Sequence, residues 1–343
     1  MGFFTDDELG SLKITNMILH VVGGGEFNPA PARAVEHEQF FLARIGNTDV
    51  SPVYSFADTS LTKAEVQRIF TSEISFEDGA QNLAREFSKL HVKTSSDGAL
   101  FMFELSVKDK NTKLYSLIKY DYREAIEQPD GEHGLLRRIV HAFIADKKAI
   151  QKSAIIRVKD GVAETVISTT DRMKQAPAIG DYFATFLDAT RSLSDEELNQ
   201  KTVDLVRNLL GENKDHLPNK DVALAYGIAK NVLRDRQEIS EEAIIDAVLA
   251  AAGNPRDETI QARLRTVTAR KIRGARLDGL GFKPNPRILK RPTLRKVRTV
   301  EGVTITYPEQ DGAVTVLRKK TDRGGETITI ETEKVTEDSV VGN

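Results

Sequence analysis

The first half of the chain is dominated by short apolar blocks that run continuously or alternate with polar residues. SLKITNMILHVV (11–22) is rich in Ile, Val and Leu and reads as a strand. Gly23–Gly25 with Pro29 and Pro31 then predict a long loop. Residues 62–70 and 77–91 carry apolar positions at helical spacing, with Leu83, Phe87 and Leu90 on one face. Asp97–Gly98 marks a turn before ALFMFELSV, and KLYSLIKYDY (113–122) follows it, so 99–122 predicts a hairpin. Residues 134–147 read as helical. AIIRV (154–158) and ETVIST (164–169), flanking Asp160–Gly161, predict a second hairpin.

The period then changes. Ile179–Thr190, Asp195–Leu210, Asn219–Asp235 and Glu241–Ala251 all repeat apolar residues at 3–4-residue spacing. Ser194 with Glu197 forms a capping-box pattern, and Ser240 can cap the last of these helices. Asn254–Pro255 ends this helical block. Residues 257–276 predict one more helix, in which Ile260, Leu264 and Val267 share a narrow stripe while arginines spread over the opposite arc. Three prolines exclude regular helix from 279–298, which predicts an extended arm. The remainder alternates with period two three times around Asp311–Gly312 and Gly324–Gly325, the pattern of a three-stranded antiparallel meander, and the tail from Thr336 is expected to be disordered. The whole predicts an α+β protein: an N-terminal mixed sheet-and-helix domain over 1–190, a helical block over 191–255, and a basic helix, arm and small antiparallel sheet over 256–343.

Charge alters this picture more than composition does. The 343 residues contain no Cys, which removes disulfides, thiolate zinc sites, iron–sulfur clusters and a cysteine nucleophile. No stretch approaches the roughly 18 apolar residues of a membrane helix. Acidic Asp6, Asp7 and Glu8 precede the first apolar run, the wrong sign for a secretory leader, so a cytoplasmic protein with no membrane partner is expected. The net charge of −2 is unevenly distributed: residues 256–299 hold 14 basic and 3 acidic residues, whereas 1–150 hold 17 and 22. A local excess of that density predicts a surface for a polyanion.

Catalytic patterns are weak. Gly23–Gly25 lack the Gly-Lys-Ser/Thr ending of a phosphate loop, and Asn28 stands where a dinucleotide turn needs a third glycine. His37–Glu38 is half of a zinc-protease motif, but its second histidine position holds Phe41. The six histidines, at 20, 37, 91, 133, 141 and 216, show no ligand spacing. No metal, cofactor or catalytic residue is therefore expected. The nearest nuclease pattern is Asp97, Glu104 and Lys108, two carboxylates for Mg²⁺ and a lysine to help activate water. The lysine of that type of site normally lies two residues after the acid, where this chain has Ser106.

Binding fits the sequence better. Only Phe282 lies within the basic segment and Tyr307 just beyond it, too few aromatics to stack single-stranded bases. Arginine forks suit phosphate oxygens. The candidates for contact with double-stranded DNA are Arg263, Arg265, Arg270, Lys271, Arg273, Arg276, Lys283, Arg287, Lys290, Arg291, Arg295, Lys296 and Arg298. The alternatives are a Mg²⁺-dependent nuclease on Asp97, Glu104 and Lys108, and an adaptor whose basic arm binds an acidic protein partner.

Several blocks also resemble the bacterial nucleoid-associated protein family, the NdpA/YejK-like proteins. They are ITNMILHVV (14–22), DGALFMF (97–103), YSLIKYD (115–121), IQKSAIIRV (150–158) and DYFATFLDA (181–189), the last with Tyr182, Phe183, Phe186 and Leu187 as a compact aromatic motif that reads as core. The resemblance spans most of the chain in diffuse fashion. It implies a cytoplasmic, nucleoid-associated DNA binder and brings no active site. The basic segment is inferred from charge alone. A homodimer, formed through the helical block or a sheet edge, is the expectation from symmetry, and a protein partner on DNA is the further possibility.

Overall fold

β-branched and aromatic residues concentrate in the segments that become strands, and Ser, Thr or Asp precedes most of those that become helices. In the computed structural model, residues 2–23, 26–90, 97–121, 123–127, 137–142, 147–290, 294–308, 315–321, 325–332 and 335 are described. The chain is mixed α+β, as its sequence predicts.

In chain order, α1 (Asp6–Leu9) is followed by β1 (Lys13–Val22), α2 (Glu38–Gly46), β2 (Tyr54–Phe56), α3 (Leu61–Phe70) and α4 (Phe76–Lys89). The hairpin β3 (Gly98–Ser106) and β4 (Thr112–Asp121) comes next, then β5 (Arg123–Glu127) and β6 (Arg137–Ala142). After these come β7 (Ile150–Lys159), β8 (Val162–Ala163), β9 (Val166–Asp171), α5 (Asp181–Leu187) and β10 (Ala189–Arg191). The helices α6 (Asp195–Glu212), α7 (Val222–Arg234), α8 (Glu241–Ala251) and α9 (Glu258–Gly274) complete the body. The last elements are β11 (Leu294–Arg298), β12 (Thr304–Pro308), β13 (Thr315–Lys320) and β14 (Glu326–Glu331).

Eight strands make one antiparallel sheet in the order β1-β3-β4-β7-β9-β2-β10, with β8 on β7. Period-two alternation gives it two apolar faces. Ile18, Leu100, Met102, Tyr115, Leu117, Ala154 and Ile156 pack under α3–α5 and the helical block. Ile14, Phe101, Phe103, Leu114, Tyr120 and Ile155 pack against Phe3, Phe4 and Ile45. The aromatic motif is core: Phe183 and Phe186 are buried and stand edge-on to Phe87, with ring centroids 6.2 and 5.0 Å away. The Ser194–Glu197 capping box is complete, and Ser240 accepts from Ala243 N at 3.3 Å.

The structure corrects four local expectations. Within 134–147, Arg137–Ala142 is a strand paired with β5, and 134–136 and 143–146 lie outside the described residues. Pairing with a strand some ten residues upstream overrides the local helical period there. The helix expected over 179–190 stops at Leu187, because Asp188 adopts a left-handed conformation (φ 47°) and Ala189–Arg191 pairs with β2. Instead of a three-stranded meander, the C-terminal segment forms two hairpins. β12 pairs with β11, and β13 with β14. Gly302 (φ 93°) closes the first by donating to Thr299 O, so the partner of β12 comes from the basic arm. Finally, 279–289 is a packed segment rather than a solvated arm, its Leu280, Phe282 and Leu289 being buried. The tail from Thr336 lies outside the described residues. By compactness the chain divides into a unit ending at Leu289 and a second unit starting at Lys290.

Candidate nucleic-acid interface

Asp257 starts α9, its Oδ1 accepting from Thr259 N at 2.8 Å and Ile260 N at 3.4 Å. Leu264, Thr268 and Ile272, spaced four apart, are buried, and Ile260, Val267 and Ala275 pack half-buried beside them. The predicted stripe is present and runs a turn and a half further, through Thr268 and Ile272. Two candidate cations flank it and are bound to the body: Arg265 Nη1 lies 2.9 Å from Glu242 of α8, and Lys271 Nζ lies 2.7 Å from Glu212 of α6.

Arg263, Arg270 and Arg273 fall on the opposite arc, and Arg276 follows the helix end; all four are exposed. Among the described residues, none of the four has a carboxylate within ion-pair distance. Arg263 and Arg270 are seven residues apart, about 10 Å along the helix, and Arg273 is about 5 Å further on. The ridge is therefore straight, cationic and fixed to a packed helix.

Past the helix, the chain returns to the body. Leu277 is buried along with Leu280, Phe282 and Leu289, which explains why the prolines of this segment do not leave it in solvent. Ile239 and Phe282 exchange backbone hydrogen bonds of 2.8 and 3.2 Å. Asn199, fully buried on α6, donates to Lys283 O at 2.8 Å and accepts from Asn285 N at 2.9 Å. Lys283, Arg287 and Lys290 are exposed along this pinned stretch. In the second unit, Lys296 and Arg298 are exposed and, two residues apart on β11, share a strand face. Arg291, and the side chain of Arg295, lie outside the described residues. Lys319 and Lys320 on β13 are also exposed; a charge count over the last 44 residues hides them, because acidic neighbours cancel them.

The nuclease trio does not assemble. Asp97 precedes β3, Glu104 is seven strand residues on, about 23 Å away, and Lys108 lies beyond the strand end. Glu104 is buried, with Lys113 Nζ at 2.8 Å, Asn16 Nδ2 at 2.6 Å and Tyr115 Oη at 3.1 Å. Burial alone would raise its pKa, but these donors, Lys113 foremost, hold it below the ordinary glutamate value. Its acceptor capacity is committed to the fold. Among the described residues no cluster of three His, Asp or Glu is arranged to hold a metal ion.

A different charged constellation appears, one that local spacing does not reveal. Strand registers align His20, Leu100, Lys119, Lys152 and Asp171 in one row across five strands. Lys152 pairs with Asp171 inside the protein, with the Tyr182 ring 4.7 Å from its Nζ. Lys119 is 1% exposed, and burial, helped by Lys152, pushes its pKa down to about 8. His20 is likewise pushed down to about 4, by burial first and by Arg85, against a backbone hydrogen bond with Ala30. These groups lie under α4 and α5, away from the arginine ridge.

The family model of nucleoid-associated protein YejK matches residues 39–334. The chain belongs to that family. The match takes in the sheet from β2 onward, all of α9 and both C-terminal hairpins. The YejK family is nucleoid-associated, in agreement with the resemblance read from the strand blocks. No curated protein matches the chain. No helix among the described residues is long and apolar enough to cross a membrane.

Proposed function

We propose that this YejK-family protein binds duplex DNA in the nucleoid without strong sequence preference, through phosphate contacts, and acts in the cytoplasm as a homodimer rather than as an enzyme. The observation that carries the reading is the outer face of α9, where Arg263, Arg270 and Arg273, followed by Arg276, are exposed and free of carboxylate partners among the described residues. Arg265 and Lys271 serve chiefly to seat the helix. Lys283, Arg287, Lys290, Arg291, Arg295, Lys296 and Arg298 extend the positive surface along the chain. Affinity then comes from counterion release, with the fixed ridge setting orientation.

Fluorescence anisotropy of a labelled random duplex across a salt series tests this. Engagement of five to eight phosphates gives a slope of log K against log salt of roughly −4.5 to −7. Changing Arg263, Arg270, Arg273 and Arg276 together to Glu is expected to abolish binding at physiological salt. A wild-type slope near zero would sink the electrostatic reading.

A further inference from the structure

The unit that ends at Leu289 contains a cleft of about 500 Å³ between the loop after α2, the ends of β7 and β9, and the glycines that follow α9. This lies within the size range of small-molecule sites. Val50, Ile150, Pro177 and Leu280 give it a buried apolar floor. Lys148, Arg172 and Lys174 stand exposed on its walls. The one carboxylate in the lining, Asp171, is already neutralised: it receives Lys152, Gly180 N at 2.8 Å and Met173 N at 2.9 Å. Arg172 is steadied by Asp121 at 2.9 Å. The wall charge is therefore positive and part of it is pre-positioned.

We propose that this cleft binds a nucleoside monophosphate. The floor suits the flat face of a heteroaromatic base, and the wall cations suit a phosphate. Asn47, also in the lining, offers both donors and an acceptor to a base edge, and Thr170 adds a hydroxyl. A fatty acyl chain fits the floor and the cations but buries Asn47 and Thr170 against hydrocarbon, which costs free energy. A bare inorganic anion leaves the apolar floor uncovered. The ligand class that uses every part of the lining is a phosphate joined to a planar, hydrogen-bonding ring. Gly279 and Gly281 form one wall, so the ligand touches the stretch of chain directly after α9. Binding here is independent of binding to DNA.

Isothermal titration of the full chain with the four common ribonucleoside 5′-monophosphates, inorganic phosphate and decanoate tests it. At least one nucleotide is expected to bind saturably, at least tenfold more tightly than phosphate or decanoate. Lys174→Glu, at an exposed position that the fold does not use, is expected to weaken it about tenfold, and Ala178→Trp to abolish it by filling the cleft. Arg270→Glu, on the α9 ridge, is expected to leave it unchanged. The proposal is overturned if no nucleotide binds, if phosphate or decanoate binds as well, if Lys174→Glu has no effect, or if Arg270→Glu removes binding. Should Ala178→Trp fail to fold, Lys174→Glu and Arg270→Glu decide the matter.

Discussion

The body that ends at Leu289 and the hairpins that begin at Lys290 are built on different principles. In the body, central strands have neighbours on both sides, and both sheet faces are covered by apolar side chains. From Lys290 onward each strand has one partner, and among the described residues none is buried. A two-stranded hairpin without a covered face is marginal in water. Positive charge therefore occurs in two settings, on a helix held rigid by a core and on strands that make no core. Cations of the first kind are pre-organised for a ligand; those of the second add charge without fixing geometry.

The largest test of this contrast is packing. Phe87→Ala, in the aromatic cluster under α5, is expected to cost about 4 kcal/mol in urea unfolding, whereas Leu317→Ala on β13 changes stability by no more than about 0.5 kcal/mol. Comparable losses would break the distinction.

A pH titration sharpens it next. His20 has a depressed pKa in the native state, about 4 against an ordinary 6.5. Unfolded chains therefore bind the proton first as pH falls. The contribution of His20 is full above pH 6.5 and is lost between 6.5 and 4, up to about 3 kcal/mol. Urea unfolding at neutral pH and near the depressed pKa is expected to show a smaller acid loss in His20→Leu by about that amount. The hairpins contain no histidine and contribute nothing to this difference.

Ending the chain at Leu289 is expected to leave the urea midpoint nearly unchanged. The salt dependence of duplex binding becomes shallower, by about 0.9 for each phosphate that the hairpins no longer neutralise. A collapse in stability would show that the body leans on the hairpins.

The smallest effect is at Arg276, whose φ of 55° is a conformation that glycine adopts without strain. Arg276→Gly is expected to stabilise the body by about 0.5 kcal/mol, read by thermal unfolding, yet to reduce the salt slope by about 0.9.

Much of the body is legible in the sequence because its elements announce themselves locally. The blocks at 14–22, 97–103, 115–121 and 150–158 become four consecutive neighbours in the sheet, β1, β3, β4 and β7. The Ser194 and Ser240 caps and the stripe of α9 follow from spacing alone. What sequence does not reveal depends on partners distant in the chain. Residues 137–142 are drawn into a strand by β5. Leu280, Phe282 and Leu289 sit among prolines and cations, which disguise a segment bound for the core. The row from His20 to Asp171 draws one residue from each of five strands, so no window along the chain contains it. For the candidate interface, the arginines are visible as charge. Which of them serve the fold is not, since that depends on Glu212 and Glu242 on other helices.

The side chain of Asn199 spans Lys283 and Asn285, just as the Ile239–Phe282 exchange holds the chain one residue earlier. Together these make a mechanical anchor. Any pull on the hairpins by a bound polymer travels down the chain through Lys290 and is taken up as shear across these hydrogen bonds before it reaches α9. The helix that presents the arginines is thus isolated from tension, and a molecule tethered by its hairpins can be tugged without being pried open.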